Sequence, residues 1–363
     1  MKKVLLAGYY GQNNIGDEAI AEALTKELKR RGYEVSMLSG DRVTSSQIYG
    51  VEAYNRQRLQ DIKTAISNSD FVILGGGSLI QDVTSSYSLW YYVGLINLCK
   101  MMRKKIYIAY QGIGPINKKQ NELLTKLTLN ANKKLWIRDE MSINTLREIG
   151  VVKPNITLSS DAVFMLKPPT YEQINVLLAK AGIRNDDNRP LIGIAPRRWG
   201  IDNKAGVFAK IADECINRFN AKVVFFAFHK DTDVKYINEI CSLMTNRAYI
   251  VSDSYLPSEV MGMMGAMTLN IGVRLHSLIF SAKMGVPLLG ISYDPKIDGF
   301  MDMLGMSPVC TYNELSKEQI MPAVSWIMKN SFPVDNMMNT IDEFEKLAIR
   351  SLDELLLESE MDA

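Results

Sequence analysis

The sequence predicts two α/β domains, each built on a parallel sheet. Short apolar runs that read as buried strands alternate with helical stretches, the signature of βα units. The chain has 363 residues, too many for one compact core. The alternation pauses at Lys167-Pro-Pro-Thr170, the best linker candidate, and starts afresh after the polar run from Arg184 to Pro190. This places one domain at 1–167, a second at 168–335 and a closing helix at 336–363. That helix repeats apolar residues such as Met337, Ile341 and Phe344 at helical spacing, and it either caps its own domain or crosses back onto the first.

In the first domain, Val4–Gly8 is a strand, Tyr9–Gly16 a loop rich in Gly and Asn, and Asp17–Arg31 a helix ended by Gly32. The glycines do not follow the dinucleotide pattern G-x-G-x-x-G. Asp17 and Glu18 sit at the positive end of the helix, where they stabilise it and repel phosphate. Sugar hydroxyls therefore suit Asn14 and Asp17 better than a pyrophosphate does, and a plain first-turn charge is the alternative for Asp17. Ser69–Gly75 is a strand followed by Gly75, Gly76, Gly77 and Ser78, a backbone that fits close approach of a ligand or an anion nest. Strands at Ile106–Gln111, Leu135–Ile137 and Asn155–Leu158 follow. Arg138, at such a strand end, either completes an anion clamp or pairs with Asp139 or Glu140 at the surface. Tyr87–Met102, followed by Arg103-Lys-Lys105, reads as a buried helix on the sheet or as an interfacial element with its aromatics in lipid.

The second domain begins with the strand Leu191–Ala195, which ends in Pro196-Arg197-Arg198-Trp199. The helix Lys204–Phe219 precedes the strand Ala221–Phe228, which ends in His229. A helix at Asp233–Met244, a strand at Ala248–Ser252 and a Met-rich helix at Ser258–Met267 follow. The richest stretch is Arg274 to Lys296. A strand at Thr268–Gly272 leads to Arg274 and His276. Ser277–Met284 is a short helix closed by Gly285, Val286–Ser292 a second strand, and Tyr293-Asp-Pro-Lys296 a turn. In open α/β sheets ligands bind outside the carboxyl ends of the strands. Two fixed cations and an imidazole on that rim suit a small anion with several oxygens and a proton to move. Arg197 and His229 end neighbouring strands and are candidate extra contacts. For His276 the plainer alternative is a core histidine that only donates a hydrogen bond.

Composition narrows the classes. Apolar residues make up 47% and charged residues 23%, as in a globular protein. The net charge of +2, with no arginine-rich tract, argues against nucleic acid. Cys99, Cys215, Cys241 and Cys310 are scattered, and they read as buried, reduced thiols of a cytoplasmic protein. With two histidines and no clustered carboxylates, no metal is expected.

Two α/β halves with parallel sheets facing an interdomain cleft suggest a GT-B-like transferase. An ordered set of motifs goes further: Gly8-Tyr-Tyr-Gly-Gln-Asn-Asn-Ile-Gly-Asp-Glu18, Gly75-Gly-Gly-Ser-Leu-Ile-Gln-Asp82, Tyr110-Gln-Gly-Ile-Gly-Pro115, Ile137-Arg-Asp139, Arg274-Leu-His-Ser277 and Tyr293-Asp-Pro-Lys296. Together these resemble the polysaccharide pyruvyl transferase family, most of all the CsaB type that modifies secondary cell-wall polymers. The resemblance implies transfer of a carboxyethylidene group from phosphoenolpyruvate, a co-substrate, to a sugar, with no cofactor. It implies a β-linked N-acetylmannosamine on a lipid-linked acceptor, at the inner face of the cytoplasmic membrane. It places Arg138, His276 and Lys296 on the family's functional arginine, histidine and lysine, with Arg274 beside the histidine. Gln12-Asn13-Asn14 departs from the shorter, more glycine-like turn expected there.

Phosphoenolpyruvate carries a carboxylate and a phosphate, which calls for two anion clamps. The expectation puts Arg274 and Arg138 on the donor anions, Lys296 on the phosphate, and His276 as the acid for the methylene carbon or the base for a hydroxyl. The competing readings are a GT-B glycosyltransferase using a nucleotide sugar, a sugar epimerase of similar architecture, and a non-catalytic ligand sensor.

Overall fold

The computed structural model describes residues 1–83, 85–184, 187–252 and 255–361. Residues 185 and 186 of the polar run, and the last two of the closing helix, lie outside the described residues. The chain divides into two compact units. One comprises Met1–Gln12, Asp17–Leu166 and Glu343–Ala363, and the other Asn13–Gly16 with Lys167–Asp342.

The first unit holds seven strands, β1 (Lys3–Ala7), β2 (Glu34–Ser39), β3 (Glu52–Asn55), β4 (Phe71–Ile80), β5 (Lys105–Ile113), β6 (Lys134–Ile137) and β7 (Asn155–Leu158). All pair in parallel, in the order β3-β2-β1-β4-β5-β6-β7. Six helices connect them: α1 (Ile15–Arg30), α2 (Arg42–Tyr49), α3 (Leu59–Asn68), α4 (Ser86–Met101), α5 (Lys119–Leu129) and α6 (Glu140–Glu148). The second unit starts with α7 (Tyr171–Lys180) and holds six strands, β8 (Leu191–Ala195), β9 (Lys222–Phe226), β10 (Tyr249–Val251), β11 (Leu269–Gly272), β12 (Leu288–Ser292) and β13 (Cys310–Thr311). Their order is β10-β9-β8-β11-β12-β13, again all parallel. Its further helices are α8 (Ala205–Phe219), α9 (Lys230–Leu243), α10 (Pro257–Gly265), α11 (Leu275–Lys283), α12 (Pro295–Met303) and α13 (Lys317–Ile327). The closing helix α14 (Val334–Met361) begins in the second unit and ends in the first.

Each sheet reverses direction of growth beside its first strand, at β1/β4 and β8/β11, the switch points where such folds bind ligands. Both sheets are covered on both faces, so the central strands are apolar throughout. Val4, Leu5 and Leu6 of β1 and Val223 to Phe226 of β9 are fully buried. Helix α4 is a core element: Leu89, Tyr92, Val93, Ile96 and Cys99 join the first unit's core, while Tyr87 and Trp90 stay exposed. Lys104 Nζ is tied to the carbonyls of Ser67 and Ser69. In α14, Tyr110 Oη donates to Ala348 O at 3.0 Å and Ser160 Oγ to Phe344 O at 2.6 Å, both within the first unit.

Three local expectations change. The glycines Gly75–Gly77 are not a loop after a strand, because β4 runs through them to Ile80 with a slip in register against β5. Gly76 and Gly77 have φ of +71° and +78°, which only glycine adopts without strain, and the buried Gln111 Nε2 donates to Leu74 O and Gly76 O across the bend. Tyr293–Lys296 is not a free turn but the start of α12, with Asp294 as its N-cap. Of the four thiols, Cys241 is only partly buried; burial pushes Cys99 and Cys215 up to about 12.

Asp82, 7% exposed, shows how the strand ends are fastened. It accepts from Asn117 N, Lys118 N and Asn121 Nδ2, joining the segment after β4 to the one before α5. Burial pushes its pKa up, but these donors outweigh burial and leave it below the usual carboxylate value. A depressed carboxylate contributes stability above its unfolded pKa and loses it as pH falls through the folded one. Asp82→Ala is expected to cost about 2–3 kcal/mol near neutral pH. In urea unfolding, the gap from wild type should narrow as pH falls below the unfolded value of about 3.9 and on through the lower folded one.

Candidate functional site

In the second unit, three adjacent strands deliver arginine and histidine side chains to one carboxyl edge. Arg197 lies two residues past β8, His229 three past β9, and Arg274 and His276 two and four past β11. Arg274 is the N-cap of α11 and His276 lies in its first turn. The helix starts earlier than expected because Ser277 Oγ and N both turn back to Arg274 O. Lys296 stands in the first turn of α12, past the end of β12, the strand paired with β11.

A carboxylate with no local signal in the sequence fixes this edge. Asp233, on α9, is 1% exposed. Its carboxylate accepts from the backbone N–H of Phe228 (3.1 Å) and His229 (2.9 Å), and from Arg274 Nε (3.1 Å) and Nη2 (2.5 Å). The fork is bidentate, so the guanidinium plane is set and its Nη1 edge faces away from the carboxylate. Arg197 lies over the rings of Trp199 and Tyr293, 4.9 and 4.6 Å from their centroids, and donates to Tyr293 Oη. Burial, then the charge of Arg274, lowers the Arg197 pKa. Two guanidinium groups this close favour an anion in their shared field.

The segment Asn13–Gly16 belongs to this same unit. Asn14 forms an antiparallel bridge with His229, Ile15 N donates to Phe228 O at 2.8 Å, and Lys230 N to Asn13 O at 3.2 Å. Gly16 lies against the His276 ring: a Cβ there would stand 2.1 Å from Nδ1. Asn14, His229, His276, Arg274 and Arg197 are thus brought together. The signal for Gly16 was its place in the Asn-Ile-Gly-Asp run. Nothing local marks Asp233 as the partner of an arginine 41 residues later.

The remaining candidates lie in the first unit. Asp17 borders the glycine run, with Oδ1 3.0 Å from where a Cβ of Gly77 would be. A carboxylate there opposes an anion nest, and Tyr10 Oη already donates to Gly75 O. Glu18 accepts from Gly11 N, Gln12 N and Tyr49 Oη, so it shapes the preceding loop. Arg138 is 8% exposed and closed in: Nε donates to Asp139, Nη1 to Asp161 and Nη2 to Ser78 Oγ. The pairing with Asp139 is there, but buried rather than at the surface.

A model of the polysaccharide pyruvyl transferase family matches residues 14–295, and the chain belongs to that family. It is a transferase whose acceptor is a saccharide. The amylovoran biosynthesis protein AmsJ of Erwinia amylovora is 21% identical over 306 residues, covering 80% of this chain and 72% of AmsJ. Among solved structures, Anabaena HepE in complex with UDP-glucose aligns over 100% of both chains at a TM-score of 0.63 and 12% identity. UDP-GlcNAc 2-epimerase from Neisseria meningitidis, bound to UDP-GlcNAc, aligns over 100% of both at 0.59 and 14%. These likenesses establish the GT-B-like fold expected from the two α/β halves.

Asp233→Ala leaves a half-buried guanidinium and two backbone N–H groups unmatched. It is expected to destabilise the protein by about 3–5 kcal/mol in urea unfolding, and Asp233→Asn by less.

Proposed function

We propose that the chain transfers the carboxyethylidene group of phosphoenolpyruvate to two hydroxyls of a saccharide, releasing phosphate. Two C–O bonds form at C2, the C2–O bond to phosphate breaks, and the methylene carbon becomes a methyl. Of the two hydroxyl protons, one is matched at the methyl and the other leaves with phosphate, so no other reactant is needed.

The observation that carries this reading is the fixed Arg274 fork beside His276, with Arg197 in the same field. In the proposed roles, the outer edges of Arg274 and Arg197 take the donor's carboxylate and phosphate, and Lys296 neutralises the departing phosphate. His276 moves the proton. His229 and Asn14 hold the segment that packs Gly16 against His276. Arg138, enclosed by two carboxylates, is assigned to orienting Ser78 rather than to clamping the donor. For the acceptor we propose β-linked N-acetylmannosamine on a lipid-linked precursor, met at the cytoplasmic face of the membrane. Among the described residues no helix is long and apolar enough to cross a membrane, and the exposed Tyr87 and Trp90 of α4 suit surface contact.

Phosphate release from phosphoenolpyruvate with a mannosaminide acceptor tests this. His276→Ala is expected to lower turnover about 100-fold or more while phosphoenolpyruvate still raises the melting temperature. Near-normal release would remove His276 from the mechanism, and stabilisation by nucleotide sugars alone would favour the glycosyltransferase or epimerase reading. Gly16→Ala pushes a methyl into the His276 ring, so we expect kcat to fall about tenfold or more with little change in phosphoenolpyruvate affinity.

A further inference from the structure

We propose that Arg56, with Tyr9, Tyr91 and Tyr92, forms a binding site in the first unit for an oxyanion carried by a saccharide, a phosphate ester or a carboxylate. The inference builds on the saccharide acceptor but not on the identity of the donor.

Arg56 follows β3 directly, and its N–H donates to Ser39 O at the end of β2. Tyr9 lies two residues past β1, and Tyr91 and Tyr92 lie on α4. The group therefore stands at the carboxyl edge of the first sheet, the edge where folds of this kind take ligands. The guanidinium carbon is 5.1, 4.8 and 5.5 Å from the ring centroids of Tyr9, Tyr91 and Tyr92. Nη2 donates to Tyr92 Oη at 2.9 Å, and Tyr91 Oη donates to Arg56 O at 2.9 Å.

What sets Arg56 apart is its charge balance. It is 8% exposed, and no carboxylate pairs with it among the described residues. Arg138 has two such partners and Arg274 has one. Nη1 of Arg56 is buried with no hydrogen-bond partner. A buried cation left unmatched is costly. Tyrosine faces offset part of that cost, yet an aromatic ring cannot accept from the in-plane N–H groups of Nη1 as an oxyanion does. Tyr92 is fully buried, whereas Tyr9 is 37% exposed. The way in therefore passes Tyr9, whose ring offers a face for a sugar while its anion reaches the guanidinium edge.

The test is NMR of the full chain labelled with [15N]arginine, without phosphoenolpyruvate, titrated with α-D-glucose 1-phosphate, D-glucuronate, inorganic phosphate or D-glucose. Arg56 side-chain signals, assigned by their loss in Arg56→Lys, should move with at least one anionic sugar and stay still with glucose. Response to the phosphate ester alone, or to glucuronate alone, identifies which oxyanion is read. In titration calorimetry of the same ligands, Arg56→Lys is expected to weaken that binding about tenfold or more, because an ammonium lacks the planar fork. Tyr9→Ala should weaken sugar-borne anions more than inorganic phosphate. Still Arg56 signals throughout, or equal binding by wild type, Arg56→Lys and Arg56→Met, would overturn the proposal and leave Arg56 as a structural cross-link. Intact binding with no phosphate release from phosphoenolpyruvate would instead count against the donor assignment alone.

Discussion

The second unit depends on one buried carboxylate. Asp233 receives hydrogen bonds from the chain leaving β9 and from the arginine leaving β11, two strands separated in the sheet by β8. These charge-assisted bonds on a group excluded from water leave little freedom to either strand end. His276 inherits its place from this, being two residues beyond Arg274 in the first turn of the same helix. Arg197, leaving the strand between, then lies where Arg274 can act on it.

The arginines of the two units show three ways to bury a cation. Arg138 is neutralised by Asp139 and Asp161. Arg274 is neutralised on one edge only. Arg197 rests on aromatic faces and a phenol, with its pKa lowered by burial and by its neighbour. The first arrangement is complete in itself. The other two leave guanidinium edges that gain from an incoming anion, which is the physical basis of the proposal that gives chemistry to them and support to Arg138.

Much of this was legible in the sequence where the signal is local. Leu191–Ala195 and Asn155–Leu158 are strands with the bounds read from their apolar runs, and the alternation identified two parallel sheets. The place of Arg274 and His276 at a strand's carboxyl end is legible because they closely follow a buried apolar run. What stayed hidden depends on distant partners. The glycine run reads as a loop until Gln111 is seen closing its carbonyls. Asn13–Gly16 reads as part of the first domain until its pairing with 228–230 is known. β3 is Glu-Ala-Tyr-Asn, too polar to register as a strand, so no strand end marks Arg56 in the sequence.

The division of α14 between the units bears on how the protein is made. The first unit contains the first residues of the chain and also the stretch from Glu343 onward, where Phe344 and Ala348 supply the carbonyl acceptors for Ser160 and Tyr110. During synthesis, every strand of that unit emerges well before this closing stretch does. The half begun first at the ribosome is therefore finished last, after the other half has been translated in full.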